Sequence, residues 1–352
     1  MHRLRTVLGF LWLAAAASAA AQAPVPAVYP VGGREVEYVE TTYGPRTLTM
    51  NVFYPGALPE PAPPPFAMEL FANFRVYRDV EIATAPRKFP LVMLSHGRGG
   101  SGLVYAWLAE YLAARGYVVA AIDHYRANAN DRSIVYLANK LWQRPVDVSL
   151  DITYLTTHEP WARAIDETRI GIAGHSQGGF TALWIGGARV NAERFAAFQQ
   201  HWKSDLSVPA HIRDQMPVDA TPALEVADPR VRAAFAMAPG VIQAFGMDAQ
   251  SIAHMAIPAY IIVGAGDTVT PPGDNAVFAA EHIRNVDLAI LRGPVGHEIF
   301  VNECSAEGKL ELPETCVDAP GVDRAKLHAD IGAAAVAFFD DRLGVARPWE
   351  AK

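Results

Sequence analysis

The chain has 352 residues, 51% of them hydrophobic, which is ample for one large core. A formal charge of −7 leaves no basic footprint for nucleic acid and no polybasic stretch for an anionic membrane surface. Length alone permits two or three domains, so the count rests on pattern.

The first segment is set apart from any fold. Met1-His2-Arg3-Leu4-Arg5 is basic, and Val7 to Ala21 is almost wholly apolar or small. Residues 1–23 therefore read as a secretory signal peptide, with small-residue cleavage sites at Ala17-Ser18-Ala19, Ala19-Ala20-Ala21 and Ala21-Gln22-Ala23. The alternative is an uncleaved anchor, although the run is short for a spanning helix. Residues 24–352 read as a single domain.

Period-two patterning begins at Val36-Glu37-Tyr38-Val39 and resumes over Leu48 to Tyr54, around a Tyr43-Gly44-Pro45 turn. That is an antiparallel hairpin extending the main sheet. The proline-rich stretch Pro55 to Pro65 is expected to interrupt regular pairing as a surface loop. Short apolar runs then alternate with helix-period segments. Strands are expected at Phe89–Leu94, Tyr117–Ile122, Arg169–Ala173, Val231–Ala238, Ala259–Val263 and Leu288–Leu291. Helices are expected at Leu103–Ala114, Val148–Leu155, Phe180–Ile185, Val277–Ile283 and Ala325–Phe339. Such alternation means an α/β fold, a mostly parallel central sheet with helices on both faces. Ligands then bind beyond the carboxyl ends of the strands.

Gly174-His175-Ser176-Gln177-Gly178-Gly179 falls between a strand and a helix, the setting of a nucleophile elbow. Glycines are needed there because the serine is held in a strained conformation close to strand and helix. A serine hydroxyl needs a base within reach, itself oriented by a third group. In chain order an acid follows a later strand and a histidine follows the last one. Asp267, in Gly264-Ala265-Gly266-Asp267-Thr268, and His297, in Val295-Gly296-His297-Glu298, fill those places. Glu298 is too close in sequence to the histidine it would orient. Asp274 reads as a helix N-cap, Asp123 and Asp248 as loop residues, and His96 and His175 as structural histidines bonded to backbone. The glycine-rich Ser95-His96-Gly97-Arg98-Gly99-Gly100-Ser101 turn offers the Arg98 N–H, and Gln177 a second, to the oxyanion of a tetrahedral intermediate. As a phosphate cradle the same turn lacks the P-loop Lys-Ser/Thr.

Cys304 and Cys316 are expected to be bridged, in keeping with export, and to contribute up to ~3 kcal/mol by closing a short loop. Free thiols, or a metal pair completed by His297, are the alternatives; no CxxC or HxxxH spacing supports metal, and no cofactor is expected.

Taken together, HGRGG, GHSQGG, GAGDTVTPP and GHEIF resemble the bacterial α/β-hydrolase group described as predicted dienelactone hydrolases, related to platelet-activating-factor acetylhydrolases. Tyr105–Ala109, Val119–His124 and Pro320–Arg324 carry the same likeness. The resemblance implies an α/β-hydrolase fold with Ser176 as nucleophile, Asp267 as acid, His297 as base, and Arg98 and Gln177 as backbone donors. Dienelactone hydrolases typically place cysteine where Ser176 stands, and related sequences often have phenylalanine at Gln177.

Substrate choice is expected to reside in two long connections, 125–145 and 191–228, which are candidate lid insertions. Phe195, Phe198, Trp202 and Met216 in the second read either as a partial lid or as amphipathic packing onto the body. Arg126, Arg132 and Arg144 serve either to recognise a substrate carboxylate or, more simply, to solvate the surface. The expected activity is cleavage of small carboxylic esters by a secreted serine hydrolase. Amide or polymer hydrolysis on the same triad and a noncatalytic binding protein are the alternatives, and the oligomeric state is open.

Overall fold

The structure, a computed structural model, describes residues 29–206, 209–213 and 225–345. The leader read at 1–23 and Met216 lie outside the described residues.

The hairpin forms between β1 (Val31–Glu40) and β2 (Arg46–Ala57), in register Val36 to Met50. The strands β3 (Val76–Arg78), β4 (Glu81–Ile82), β5 (Phe89–Ser95), β6 (Val118–Asp123), β7 (Ile165–His175), β8 (Val231–Met237), β9 (Ala259–Gly264) and β10 (Val286–Leu291) complete a ten-stranded sheet. Its order is β10-β9-β8-β7-β5-β6-β2-β1-β3, with β4 paired to β2. From β6 to β10 every neighbouring pair is parallel, and β2 joins β6 antiparallel.

The central strands β5 and β6 are buried along their whole length. Cover on both faces explains why they read as unbroken apolar runs rather than alternating ones. The C-terminal helix Arg324–Leu343 covers the neighbouring strands β7 and β8. Gly171 in β7 makes room for it, since a Cβ there would come within 2.6 Å of the Phe339 ring.

The proline-rich stretch does not end pairing where expected. β2 runs on through Pro55 and Gly56, and Gly56 pairs with Ile82 of β4. The helix expected at Leu103 begins as a 3-10 turn, Gly102–Tyr105, before the α-helix Ala106–Ala113. Asp274 is not an N-cap: Pro272 occupies that place, and Asp274 lies inside the π-turn Gly273–Val277. Asp248 does cap a helix, accepting from Ser251 N–H at the start of Ala249–Ile252.

Asp123 is the buried last residue of β6, not a loop residue, and accepts the Gly102 N–H at 2.7 Å. Burial outweighs that bond and pushes its carboxyl from an ordinary 3.8 up to about 6. The unfolded chain therefore ionises first, so stability from this group is full below the unfolded value and is lost as pH rises through about 6. Asp123→Asn keeps the acceptor but removes the titration. Relative to the parent it should gain on the order of 3 kcal/mol between pH 4 and pH 8 in paired denaturant melts. Parallel stability curves for the two proteins would show that Asp123 titrates normally.

Because β5, β7, β8, β9 and β10 run parallel and side by side, their carboxyl ends open on one rim. The chain direction across the sheet reverses between β5 and β7, since β6 lies on the other side of β5. A crevice at such a reversal is where open α/β sheets bind ligands.

Candidate active site

Ser176 stands directly after β7 and before the helix Gln177–Ile185, at φ 55° and ψ −120°. A side chain at positive φ is strained and persists only where its surroundings hold it. Here the Ser176 N–H donates to Met237 O at 2.9 Å, and Ser176 O accepts from Gly240 N–H at 3.0 Å. The flanking glycines are sterically required. A Cβ at Gly174 would collide with the Gly178 carbonyl, one at Gly178 with the Ser95 carbonyl, and one at Gly179 would sit 2.9 Å from Pro239 Cα. Ser176 occupies the N-cap position of that helix with no side-chain capping bond, which places the residue at the positive end of the helix dipole.

Asp267 follows β9 in a turn closed by its own side chain. Oδ1 accepts from the N–H groups of Val269 (2.9 Å) and Thr270 (2.8 Å), and Oδ2 accepts from the Thr270 hydroxyl at 2.9 Å. The same Oδ2 lies 2.7 Å from His297 Nδ1, which begins the 3-10 turn after β10. Burial alone would raise the Asp267 carboxyl, but the hydrogen bond and charge of His297, with the Thr270 donors, hold it below its ordinary value. It is Asp267, not the neighbouring Glu298, that bonds His297.

Ser176, His297, Arg98 and Gln177 all border one cleft of about 600 Å³ at the sheet rim. The Gly97 turn comes close to the serine: a Cβ at Gly97 would lie 3.4 Å from Ser176 Cβ, and one at Gly240 would lie 3.3 Å from its hydroxyl. Apolar wall is supplied by Phe71, Val104, Val269 and Leu312. Leu312 and Thr315 belong to the loop closed by the Cys304–Cys316 disulfide, which docks on Leu70 through Ser305 N–H to Leu70 O (3.0 Å), while Glu303, just before it, accepts from Ala72 N–H (2.8 Å). Closing this loop constrains the unfolded chain. Replacing both cysteines by alanine is expected to cost about 3 kcal/mol in denaturant melts, and an unchanged midpoint would show the loop to be held without the bridge.

Several residues of the site carry no motif of their own. Thr270 ties Asp267, His297 and the Ala238 carbonyl together, with its hydroxyl 3.2 Å from His297 Nδ1 and 3.3 Å from Ala238 O. An Asp followed three residues later by Thr is the signature that foreshadows its turn. Ala238 and Val241 both have positive φ in the loop beneath Ser176, and Val241 lines the cleft.

Tyr105 and His175 link three loops. His175 Nε2 faces the His297 carbonyl at 3.1 Å and so carries the proton; Nδ1 then accepts from the Tyr105 hydroxyl at 2.9 Å, whose oxygen accepts the Gly97 N–H at 3.2 Å. Burial, and then the nearby His297, keeps the His175 imidazole well below its ordinary value and neutral, as this chain of bonds requires. His96 likewise bonds backbone, to Gly97 O at 2.6 Å and from His124 N–H at 3.2 Å.

Of the three arginines, Arg126 is exposed and bonds Ser133, and Arg132 borders the cleft beside Gly99 O. Arg144 is not a surface residue: it is 2% exposed and lies behind the Gly97 turn. Phe195 is buried, Phe198 packs edge-on against Phe245 at 5.0 Å, and Trp202 lies 5.9 Å from the Arg98 guanidinium.

The fold finds a counterpart in a ferulic acid esterase from Streptomyces cinnamoneus, with a TM-score of 0.60 and 21% identity, covering 94% of this chain and 95% of that one. Residues 71–159 match the family model for platelet-activating factor acetylhydrolase, isoform II. The chain has the α/β-hydrolase fold, and part of it is similar to the platelet-activating factor acetylhydrolases. It is 27% identical to that enzyme of Bos taurus and 26% to that of Canis lupus familiaris, over 27% of this chain. Only 31% of the length of either relative is matched. The matched part holds β5, the Gly97 turn and β6.

Proposed function

We propose that this α/β-hydrolase cleaves small carboxylic esters through an acyl-enzyme on Ser176. The observation that carries the reading is the strained Ser176 in the same cleft as His297, whose Nδ1 lies 2.7 Å from Asp267 Oδ2. The Ser176 hydroxyl attacks the ester carbonyl while His297 Nε2 takes its proton, and Asp267 stabilises the imidazolium. The N–H groups of Arg98 and Gln177, with the helix terminus behind them, receive the charge that forms on the carbonyl oxygen. His297 then protonates the leaving alcohol, and water repeats the sequence to release the acid. A cleft of about 600 Å³ falls in the range of small-molecule pockets. The relatives are named for acetyl and ferulic acid esters, so ester cleavage is the chemistry they share.

The test is hydrolysis of p-nitrophenyl esters from acetate to octanoate by the purified protein. Turnover that saturates with substrate is expected; no turnover across the series would overturn the reading. Export to an oxidising compartment accompanies the proposal, supported by the leader-like 1–23 and the Cys304–Cys316 bridge. Among the described residues no helix is long and apolar enough to cross a membrane.

Tyr105 acts as a positioning residue in this scheme, through His175. Tyr105→Phe leaves the buried His175 Nδ1 and Gly97 N–H without a partner, and is expected to lower kcat about tenfold with little change in KM. A change confined to KM, or none in a folded variant, would remove it from the catalytic arrangement.

A further inference from the structure

Beside the cleft lies a second, smaller pocket of about 20 Å³, partly open to solvent and with room for one small group. It shares Arg98, Gln177 and Phe245 with the cleft and is otherwise bordered by Lys140, Arg144, Trp202 and apolar side chains. Three cationic side chains meet there and no carboxylate does.

Arg144 is the decisive one. Its Nε reaches the Thr181 hydroxyl at 3.2 Å, and Nη2 reaches His96 O and the Ser95 hydroxyl. Nη1 is buried and has no hydrogen-bond partner among the described residues. Asp147 is the carboxylate whose charge acts on it, but Asp147 is already bonded by Arg46 at 2.8 Å and by Tyr125 N–H at 3.2 Å. Asp151, one turn further along the helix, is bonded by the Tyr38 hydroxyl at 2.9 Å, and burial and the adjacent Asp147 push its carboxyl up. His96 and His124 are kept neutral by burial and by Arg144. Among the described residues no carboxylate bonds the buried Arg144 guanidinium, a state that costs free energy unless an anion completes it. A water can take the free N–H but cannot balance the charge.

We propose that the Arg98–Lys140–Arg144 cavity is an anion subsite, taking one compact anionic group such as a carboxylate or a halide next to Gln177. The group is either carried on the acyl part of the substrate or is free in solution. The substrate-borne case rests on the ester hydrolase reading; the free-anion case does not.

Two measurements on the purified protein and on Arg144→Met and Lys140→Ala separate these cases. The first compares kcat/KM for the 4-methylumbelliferyl half-ester of glutaric acid with that for the uncharged valerate ester. The second follows the melting temperature in sodium chloride against sodium gluconate at equal ionic strength. A preference of about tenfold for the half-ester, lost in either variant, supports a substrate-borne anion, since one charge-assisted bond is worth at least that factor. Equal rates with a saturable chloride-specific rise in melting temperature, lost in either variant, support a free anion. Equal rates and no chloride-specific rise overturn the proposal. If no ester is turned over, the hydrolase reading fails by itself and the melting experiment alone decides on the cavity. Lys140→Ala, on the rim, carries the test if Arg144→Met does not fold.

Discussion

Ser176→Ala is expected to lower kcat for ester hydrolysis by between about ten-thousandfold and a millionfold while KM changes little. The size follows from what is left behind. Without the hydroxyl no acyl-enzyme forms, and only the N–H groups of Arg98 and Gln177 and the substrate wall remain to favour attack by water. Alanine fits the elbow sterically, since the glycines that clear space for it at Gly174, Gly178 and Gly179 are untouched. The φ of 55° is still strained for alanine, so the variant should keep the parent's fold at some cost in stability. Steady-state kinetics beside a thermal melt separates the two effects. A folded variant that retains more than about one-thousandth of the activity would remove Ser176 from the mechanism.

Asp267→Asn is expected to cost about ten-thousandfold in kcat, for a reason specific to its hydrogen bonds. Oδ1 accepts from two N–H groups, of Val269 and Thr270, so an asparagine keeps its oxygen there and turns its NH₂ toward His297. His297 Nδ1 must then accept, which moves the ring proton to Nε2. That tautomer cannot take the proton of Ser176. Kinetics on the variant tests this, and a loss below tenfold would show that Asp267 does no more than hold the turn.

Most of the sheet was legible because parallel strands covered on both faces must be apolar throughout, as Leu91 to Leu94 and Val118 to Ile122 are. β3 and β4 were not, being three and two residues long and joined to the sheet by short pairings with β1 and β2. In the candidate site, Ser176, Asp267 and His297 each sit in a short glycine-marked turn after a strand, so spacing alone could nominate them. Tyr105, Thr270 and Gly240 act through distant partners: the Gly97 N–H, the Ala238 carbonyl and the Ser176 carbonyl. No local pattern reports such contacts. Arg144 was misjudged for the converse reason. A single arginine in a polar stretch reads as solvated, and the buried surroundings that overturn this, Ser95, His96, Asp147 and Thr181, come from three other elements besides its own helix Gln143–Thr157 or lie one turn along it.

The most direct test of serine catalysis is the mass of the protein after exposure to a fluorophosphonate, with the modified peptide sequenced and residual esterase activity read on the same sample. The expected result is one adduct, on Ser176, with activity falling in step with the labelled fraction and no adduct in Ser176→Ala. Full activity in a protein that carries no adduct, or whose adduct lies on another residue, would contradict it.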